Sequence, residues 1–104
     1  MQRWVRSYSD EEDVTFLWGV DESGWVTRSI ELAGSDLQPQ AAAVLAEVLR
    51  ARDTGGERAV QAYESRYGIA PEKPVDDWGF PHVDVTRADF GSAWSAARRV
   101  MDAK

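Results

Sequence analysis

The chain has 104 residues, with 12 Lys plus Arg against 18 Asp plus Glu, one His and no Cys. Its length suits one domain (1–104), and a content of 43% hydrophobic and 29% charged residues is that of a globular protein. The lack of Cys excludes thiol nucleophiles, disulfides and thiolate metal sites, and the lone His excludes a multi-His zinc site. A net charge of −6 argues against nucleic acid or anionic lipid as the main partner.

Three strands are predicted in the first third of the chain. Residues 3–8 form a short strand, which the acidic run 10–13 interrupts. Residues 14–20 alternate strictly between two faces, which is typical of a strand with one buried face, and residues 25–32 alternate again after the turn at 21–24. The apolar face of the second strand comprises Val14, Phe16, Trp18 and Val20.

The turn between the second and third strands sets their register. A loop of two or four residues places the apolar face of one strand beside the polar face of the other. A three-residue loop that ends at Gly24 pairs Val20 with Val26 and brings both apolar faces together, so we expect that loop. In this register Arg28 lies on the apolar face, directly across from Trp18.

Two consecutive helices are predicted in the middle of the chain. The first contains Pro39 in its first turn, includes the alanines at 41–43 and ends near Asp53. The second begins at the capping-box sequence of residues 54–57 and ends at Gly68.

The last third of the chain predicts an irregular segment and a final helix. Residues 69–85 hold three of the four prolines, and Val83 and Val85 could add a short edge strand. Thr86 and Asp89 form a capping box that begins the helix. Its apolar stripe comprises Phe90, Ala93, Trp94, Ala97, Val100 and Met101. The element order predicts an α+β fold, an antiparallel meander of three to four strands with two or three helices packed on one face.

Two motifs, the hairpin at 18–31 and the helical segment Phe90-Gly-Ser-Ala-Trp94, carry a family resemblance. The hairpin has an aromatic residue, an acidic turn, a second aromatic residue and then Arg-x-Ile-Glu. Over residues 3–32 and 71–98 the chain resembles a family of small bacterial proteins of unknown function. Gly19 stands where a polar or acidic residue is expected in that family. The resemblance implies a bacterial source and a shared fold, and it implies no activity.

Arg28 is the first candidate site residue. A guanidinium on an apolar face needs a partner, because an unpaired buried charge is very costly. In one interpretation Arg28 binds the carboxylate or phosphate of a ligand while Trp18 stacks on that ligand. In the other, Arg28 forms an internal ion pair with one of the many carboxylates of the chain and packs on Trp18.

The loop at 76–82 gathers two acids, two aromatic residues and the only His. Asp77, Trp78 and His82 are its candidate binding residues, since aromatic anchors with an acidic rim suit a basic protein surface. His82 could also act as a general base. In the structural alternative, Trp78 and Phe80 hold the loop on the core. No nucleophile elbow or Gly-rich phosphate loop accompanies His82, so we expect no enzyme. We also expect no cofactor and no metal ion.

Acidic residues concentrate in the first third of the chain. Residues 1–35 carry three basic and seven acidic groups, a net charge of −4, against −1 in each of 36–70 and 71–104. The run at 10–13 lacks the spacing of an EF-hand and predicts a solvated loop. This asymmetry would steer a basic partner toward the hairpin loops.

Five tryptophans in 104 residues are unusual for a chain of this size. We expect Trp18 and Trp94 to face each other between sheet and helix. Trp25 then lies with Leu17 on the other sheet face, where an uncovered pair would form an apolar patch. Such a patch is an interaction surface or a dimer interface, and Trp25 is therefore a candidate binding residue.

These patterns predict a non-enzymatic protein-interaction module in the bacterial cytoplasm. Its partner would be a basic protein, as for an immunity-type inhibitor of a toxin, or a second copy of the chain. Residues 1–6 lack the apolar segment of a secretory signal, and no run reaches the length of a membrane span. The alternative functions are a domain that binds a small anionic ligand through Arg28 and an enzyme that uses His82.

Overall fold

The computed structural model describes residues 2–76 and 78–103, which form a five-stranded antiparallel sheet and two helices. The sheet has the strand order β4-β3-β2-β1-β5. Its strands are β1 (Arg3–Ser9), β2 (Val14–Val20), β3 (Val26–Ala33), β4 (Gln38–Val44) and β5 (Val83–Asp84), and the helices are α1 (Leu45–Tyr67) and α2 (Arg87–Asp102). The α+β prediction is confirmed, with five strands where three or four were expected.

The β2–β3 hairpin follows the predicted register only at its turn. Val20 pairs with Val26 as expected, but the register shifts by one residue at a β-bulge, and Gly19 then pairs with Arg28. The prediction that Arg28 lies across from Trp18 is wrong. One extra residue in β3 displaces every later pair, and a shift by one residue exchanges the two faces of a strand.

The shifted register reverses which face of β2 packs against α2. Leu17, only 7% exposed, belongs to the main core together with Phe90 of α2. Trp18 points to the opposite face, so its predicted contact with Trp94 is wrong. The predicted patch of Leu17 and Trp25 is also wrong, because Leu17 is buried. The main core comprises Leu17, Ile30, Leu32, Ala42, Phe90, Ala97 and Met101.

Residues 38–44 form strand β4, although the sequence predicts the start of a helix there. Ala41, Ala42 and Ala43 are each at most 4% exposed, and they pair with β3. Ala42 belongs to the main core, whereas Ala43 packs in a second cluster with Val48 and other residues of α1. The prediction of a helix over these alanines is wrong. Alanine has a high helix propensity, but its small side chain also fits a strand that is buried on both faces.

The two predicted middle helices are joined in α1 and meet at a kink. Gly56 breaks the helical geometry with φ 67° and ψ −158°. Thr54 makes no capping box, since its hydroxyl donates to the Arg50 carbonyl oxygen at 3.0 Å. Gly68 ends the helix as predicted, with φ 91°, where a Cβ would collide with Ala41. Neither of the two described helices combines the length and hydrophobicity that a membrane span needs.

Helix α2 and strand β5 confirm the local signals of the last third. The Thr86 side chain accepts a hydrogen bond from the Asp89 N–H at 3.0 Å, which is the predicted N-cap. Phe90, Ala97 and Met101 of the predicted apolar stripe are buried, whereas Val100, also predicted to belong to it, is 42% exposed. Strand β5 pairs with β1 at the edge of the sheet, where Val83 suggested a short strand.

Side chains from both helices cover the outer edge of β4. The Tyr63 hydroxyl accepts from the Val44 N–H at 2.9 Å, and Arg98 Nε donates to the Ala42 carbonyl oxygen at 2.9 Å. Glu47 Oε1 accepts from both Tyr63 and Arg98, each at 2.6 Å. Burial and the hydrogen bond to Glu47 raise the pKa of Tyr63 to about 12. This network satisfies backbone groups that an edge strand would otherwise leave open.

Candidate binding sites

A groove of about 880 Å³, called here the acidic-end groove, lies between the sheet and the first part of α2. Its walls come from β1, β2, β3, the β3–β4 turn, β5 and α2, so the side chains that line it are far apart in the sequence. The apolar members are Leu17, Leu32, Leu37, Val83, Val85 and Ala93. Leu17 and Leu32 are buried, whereas Leu37 and Val83 are each 49% exposed.

Two acidic turns adjoin this groove. Antiparallel pairing brings the turn at 10–13 beside the turn at 34–37, and the Gly34 N–H donates to the Asp13 carbonyl oxygen at 2.9 Å. Leu37, from the second turn, lines the groove itself. The two turns carry no basic residue, and their carboxylates are Asp10, Glu11, Glu12, Asp13 and Asp36. Arg6 and Asp89 line the groove as well, one of each sign, so the five carboxylates of the turns give it a negatively charged border beside its apolar walls.

Tyr8 and Leu37 hold unusual positions at the border of the groove. Tyr8 is 55% exposed, and its hydroxyl donates to Asp13 Oδ1 at 2.7 Å. That hydrogen bond raises the pKa of the Tyr8 phenol. Leu37 has a φ of 54°, a left-handed conformation that residues other than glycine rarely adopt. Both side chains thus present apolar surface to solvent from well-defined backbone positions.

The predicted loop site is a packed aromatic cluster on the face of the sheet opposite α2. The Phe80 ring lies 5.8 Å from that of Trp18 and 5.6 Å from that of Trp78. The His82 ring lies 5.2 Å from Trp78, and its Nδ1 is 2.9 Å from the Phe80 carbonyl oxygen. These contacts agree with the structural interpretation, in which the aromatic residues hold the loop on the sheet. His82 also lines the acidic-end groove, and Asp77 lies outside the described residues.

Trp25 lies at the β2–β3 turn and is 37% exposed. Its N–H donates to Asp21 Oδ1 at 2.9 Å, and its backbone forms an isolated bridge with Pro74. The Val75 N–H donates to the Gly24 carbonyl oxygen at 2.7 Å. The turn therefore anchors the segment that leads into the aromatic cluster.

Arg28 is exposed and lines a second groove of about 820 Å³, called here the Arg28 groove. Its guanidinium lies 5.1 Å from the centre of the Trp94 ring, so the aromatic neighbour is Trp94 and not the predicted Trp18. The predicted internal ion pair is not formed with any carboxylate of the described residues. Arg87 lies in the same groove, which makes two arginines available there.

Sequence reasoning missed the acidic-end groove, including Tyr8, Leu37 and Val83. The signal that could have found it is the Gly-Ser-Asp-Leu sequence at 34–37, which directly precedes the first predicted middle helix. As a hairpin turn, the same residues place a leucine in solvent beside the acidic turn at 10–13. An apolar side chain at an otherwise polar turn is a reason to look for a contact surface.

Comparisons of the chain with protein-family models, with curated proteins and with solved structures find no match. The resemblance of the hairpin and terminal helix to a bacterial family therefore stays a prediction. The geometry of the two grooves is the basis for inferring function.

Proposed function

We propose that this protein is a non-enzymatic binding module whose acidic-end groove takes an apolar, positively charged segment of a partner protein. Leu37 is the observation that carries the proposal. It is 49% exposed and has a φ of 54°. A left-handed conformation costs about 1–2 kcal/mol for a residue with a Cβ. Folding stability alone would favour glycine or asparagine there, so the leucine side chain itself has a use.

The electrostatics of the groove favour a basic partner. The two adjoining turns carry five carboxylates and no basic residue, in a chain whose net charge is −6. Such a field accelerates encounter with a cationic surface and disfavours acidic competitors. Affinity would then come from the apolar side chains, with Tyr8, Leu37 and Val83 as the exposed anchors.

A second copy of the chain is a poorer occupant of this groove. In a twofold dimer the same patch meets itself, and the five carboxylates of each copy would face one another. Like charges brought together across an interface cost several kcal/mol. A light-scattering mass of twice 11.6 kDa at physiological salt would favour the dimer over our proposal.

The test compares capture of a partner by matched variants. The wild-type chain, Leu37→Asn and Ile69→Asn are immobilised, and host lysate proteins that bind each are identified by mass spectrometry. Ile69 is the control because it is 65% exposed and lines neither groove. We expect a basic protein to bind the wild type and Ile69→Asn and to be lost from Leu37→Asn.

A second measurement locates the contact. Amide chemical shifts of the labelled chain are recorded with the purified captured protein. Shifts that cluster at Tyr8, the turn at 34–37 and Val83 support the proposal. Equal capture by Leu37→Asn and the wild type, or shifts confined to the aromatic cluster, would refute it. The cytoplasmic setting and the role as an immunity-type inhibitor stay predictions until that partner is known.

A further inference from the structure

We infer that the Arg28 groove binds an amphipathic organic oxyanion, a molecule with a carboxylate or phosphate head and an apolar body. The groove is bordered by the turn at 21–24, the first part of α1 and the first turns of α2. It shares no lining residue with the acidic-end groove, so this inference is independent of the proposed protein partner.

Two arginines supply the site for the head group. Within 2–76 and 78–103, neither Arg28 nor Arg87 forms an ion pair with a carboxylate, whereas Arg3, Arg52 and Arg98 all do. Arg87 is the first residue of α2, so the positive end of that helix adds to the field. A guanidinium fork matches a planar carboxylate or a phosphate.

The acidic side chains in the groove restrict the charge of the ligand. Asp21 and Glu22 also line it. Asp21 Oδ1 accepts hydrogen bonds from the N–H groups of Ser23 and Trp25, each at 2.9 Å, so the turn already uses this carboxylate. With two acids and two arginines among its lining residues, the groove suits a single oxyanion better than a polyanion such as nucleic acid.

The rest of the lining is apolar and suits a hydrocarbon or aromatic body. Leu49 is 47% exposed within the groove, on the first half of α1. The other large apolar lining residues are Trp4, Val44, Leu45 and Phe90. Small ligands gain most of their affinity from such walls, and a few polar groups orient them.

Gly91 provides an independent observation. It lies inside α2 without the left-handed φ that would require glycine, and a Cβ there would meet nothing within 4 Å. Glycine inside a helix costs about 1 kcal/mol relative to alanine. Neither packing nor backbone geometry explains the residue. Because Gly91 lines the Arg28 groove, its effect is to leave room there.

The test uses decanoate and decyl phosphate as probes, titrated into the full chain and followed by calorimetry and tryptophan fluorescence. Decanol lacks the charge, and acetate lacks the apolar body. We expect one of the two amphipathic anions to bind at least about tenfold more tightly than either control, a difference of about 1.4 kcal/mol. A preference between the two probes identifies the head group as carboxylate or phosphate.

Four variants assign the binding to this groove. Arg28→Gln and Arg87→Gln should each weaken binding by about fivefold to tenfold, the effect expected for losing one charge-assisted contact at an exposed site. Gly91→Leu should abolish binding by filling the space beside the helix while leaving the thermal transition cooperative. Arg58→Gln is the control, since Arg58 is exposed on α1 and lines neither groove.

Three results would overturn the inference. The first is the absence of binding of both anionic probes up to millimolar concentration. The second is equal affinity for decanol and decanoate. The third is binding that survives Gly91→Leu and both arginine substitutions unchanged.

Discussion

Gly91→Ala tests whether glycine in α2 is kept at the expense of stability. The substitution adds one methyl group at a position where a Cβ meets no atom within 4 Å, so it introduces no clash and buries almost nothing. The expected gain is therefore the helix propensity difference alone, about 0.8–1.0 kcal/mol. For a domain of about 100 residues, 1 kcal/mol corresponds to an increase in Tm of roughly 4–8 °C.

Gly56→Ala is a matched control for this prediction. A Cβ at Gly56 also meets nothing within 4 Å, but its φ of 67° disfavours any residue with a side chain. Gly56→Ala should lose about 1 kcal/mol or more. Urea unfolding at constant temperature measures both variants against the wild type. An unchanged or lowered midpoint for Gly91→Ala, or a raised midpoint for Gly56→Ala, would refute the reasoning.

Four further predictions concern other parts of the chain. Leu37→Asn should change the free energy of unfolding by less than about 1 kcal/mol, because asparagine tolerates the left-handed conformation better and this gain offsets the lost apolar contact. Calorimetry with the captured partner should nevertheless show weaker binding to this variant than to the wild type. Arg98→Ala should cost about 2–3 kcal/mol in urea unfolding, since it removes the side-chain donor of the Ala42 carbonyl oxygen and the cation paired with Glu47, which keeps the hydrogen bond from Tyr63. A loss of less than about 1 kcal/mol would contradict this role. Burial alone would raise the pKa of Glu47, but hydrogen bonds from Arg98 and Tyr63 lower it overall. The ionised Glu47 therefore stabilises the folded state above its unfolded pKa of about 4.3, and this stabilisation is lost as the pH falls through the lower folded pKa. The loss of stability between about pH 5 and about pH 3 should therefore be smaller in Glu47→Gln than in the wild type, as urea midpoints measured across that range would show. Gly24→Ala should lower the free energy of unfolding by about 1–2 kcal/mol, because φ at Gly24 is 87° and the new Cβ would lie 3.0 Å from the Val75 carbonyl oxygen. An unchanged thermal midpoint would contradict this prediction.

Elements whose signals are local were predictable from the sequence. The N-cap of α2 depends on Thr86 and Asp89, three residues apart, and the predicted stripe of that helix includes its buried residues. Gly68 ends α1 because its left-handed conformation is needed at that one position. In each case the residues that determine the structure lie within one or two turns of the chain.

The faces of the sheet depend on a feature that alternation does not reveal. Residues 14–20 alternate in either register, so the pattern identifies the strand without saying which side meets α2. The single extra residue at the bulge decides this, placing Leu17 in the main core and Trp18 on the other face. The position of Arg28 changes with it, so the aromatic neighbour of Arg28 is Trp94 and not the predicted Trp18.

The grooves themselves depend on contacts between distant segments. Leu37 borders a groove only because the β3–β4 turn lies beside the β1–β2 turn. The β3–β4 turn was not predicted, because the alanines at 41–43 favour a helix in the sequence. Ala is the best helix former in isolation, yet its small side chain also suits a strand buried on both faces. Pairing with β3 outweighed intrinsic propensity here.

Three glycines and one leucine with a positive φ fall into two groups in this structure. Gly24 and Gly68 have positive φ and close neighbours, so local geometry accounts for them. Leu37 and Gly91 have no such explanation: one carries a side chain where glycine would fit better, and the other lacks a side chain where alanine would fit better. Both line grooves, and they line different ones. Because their effects on stability are independent of what binds, unfolding measurements on Leu37 and Gly91 variants test our proposal that the two grooves are binding surfaces before a ligand is known.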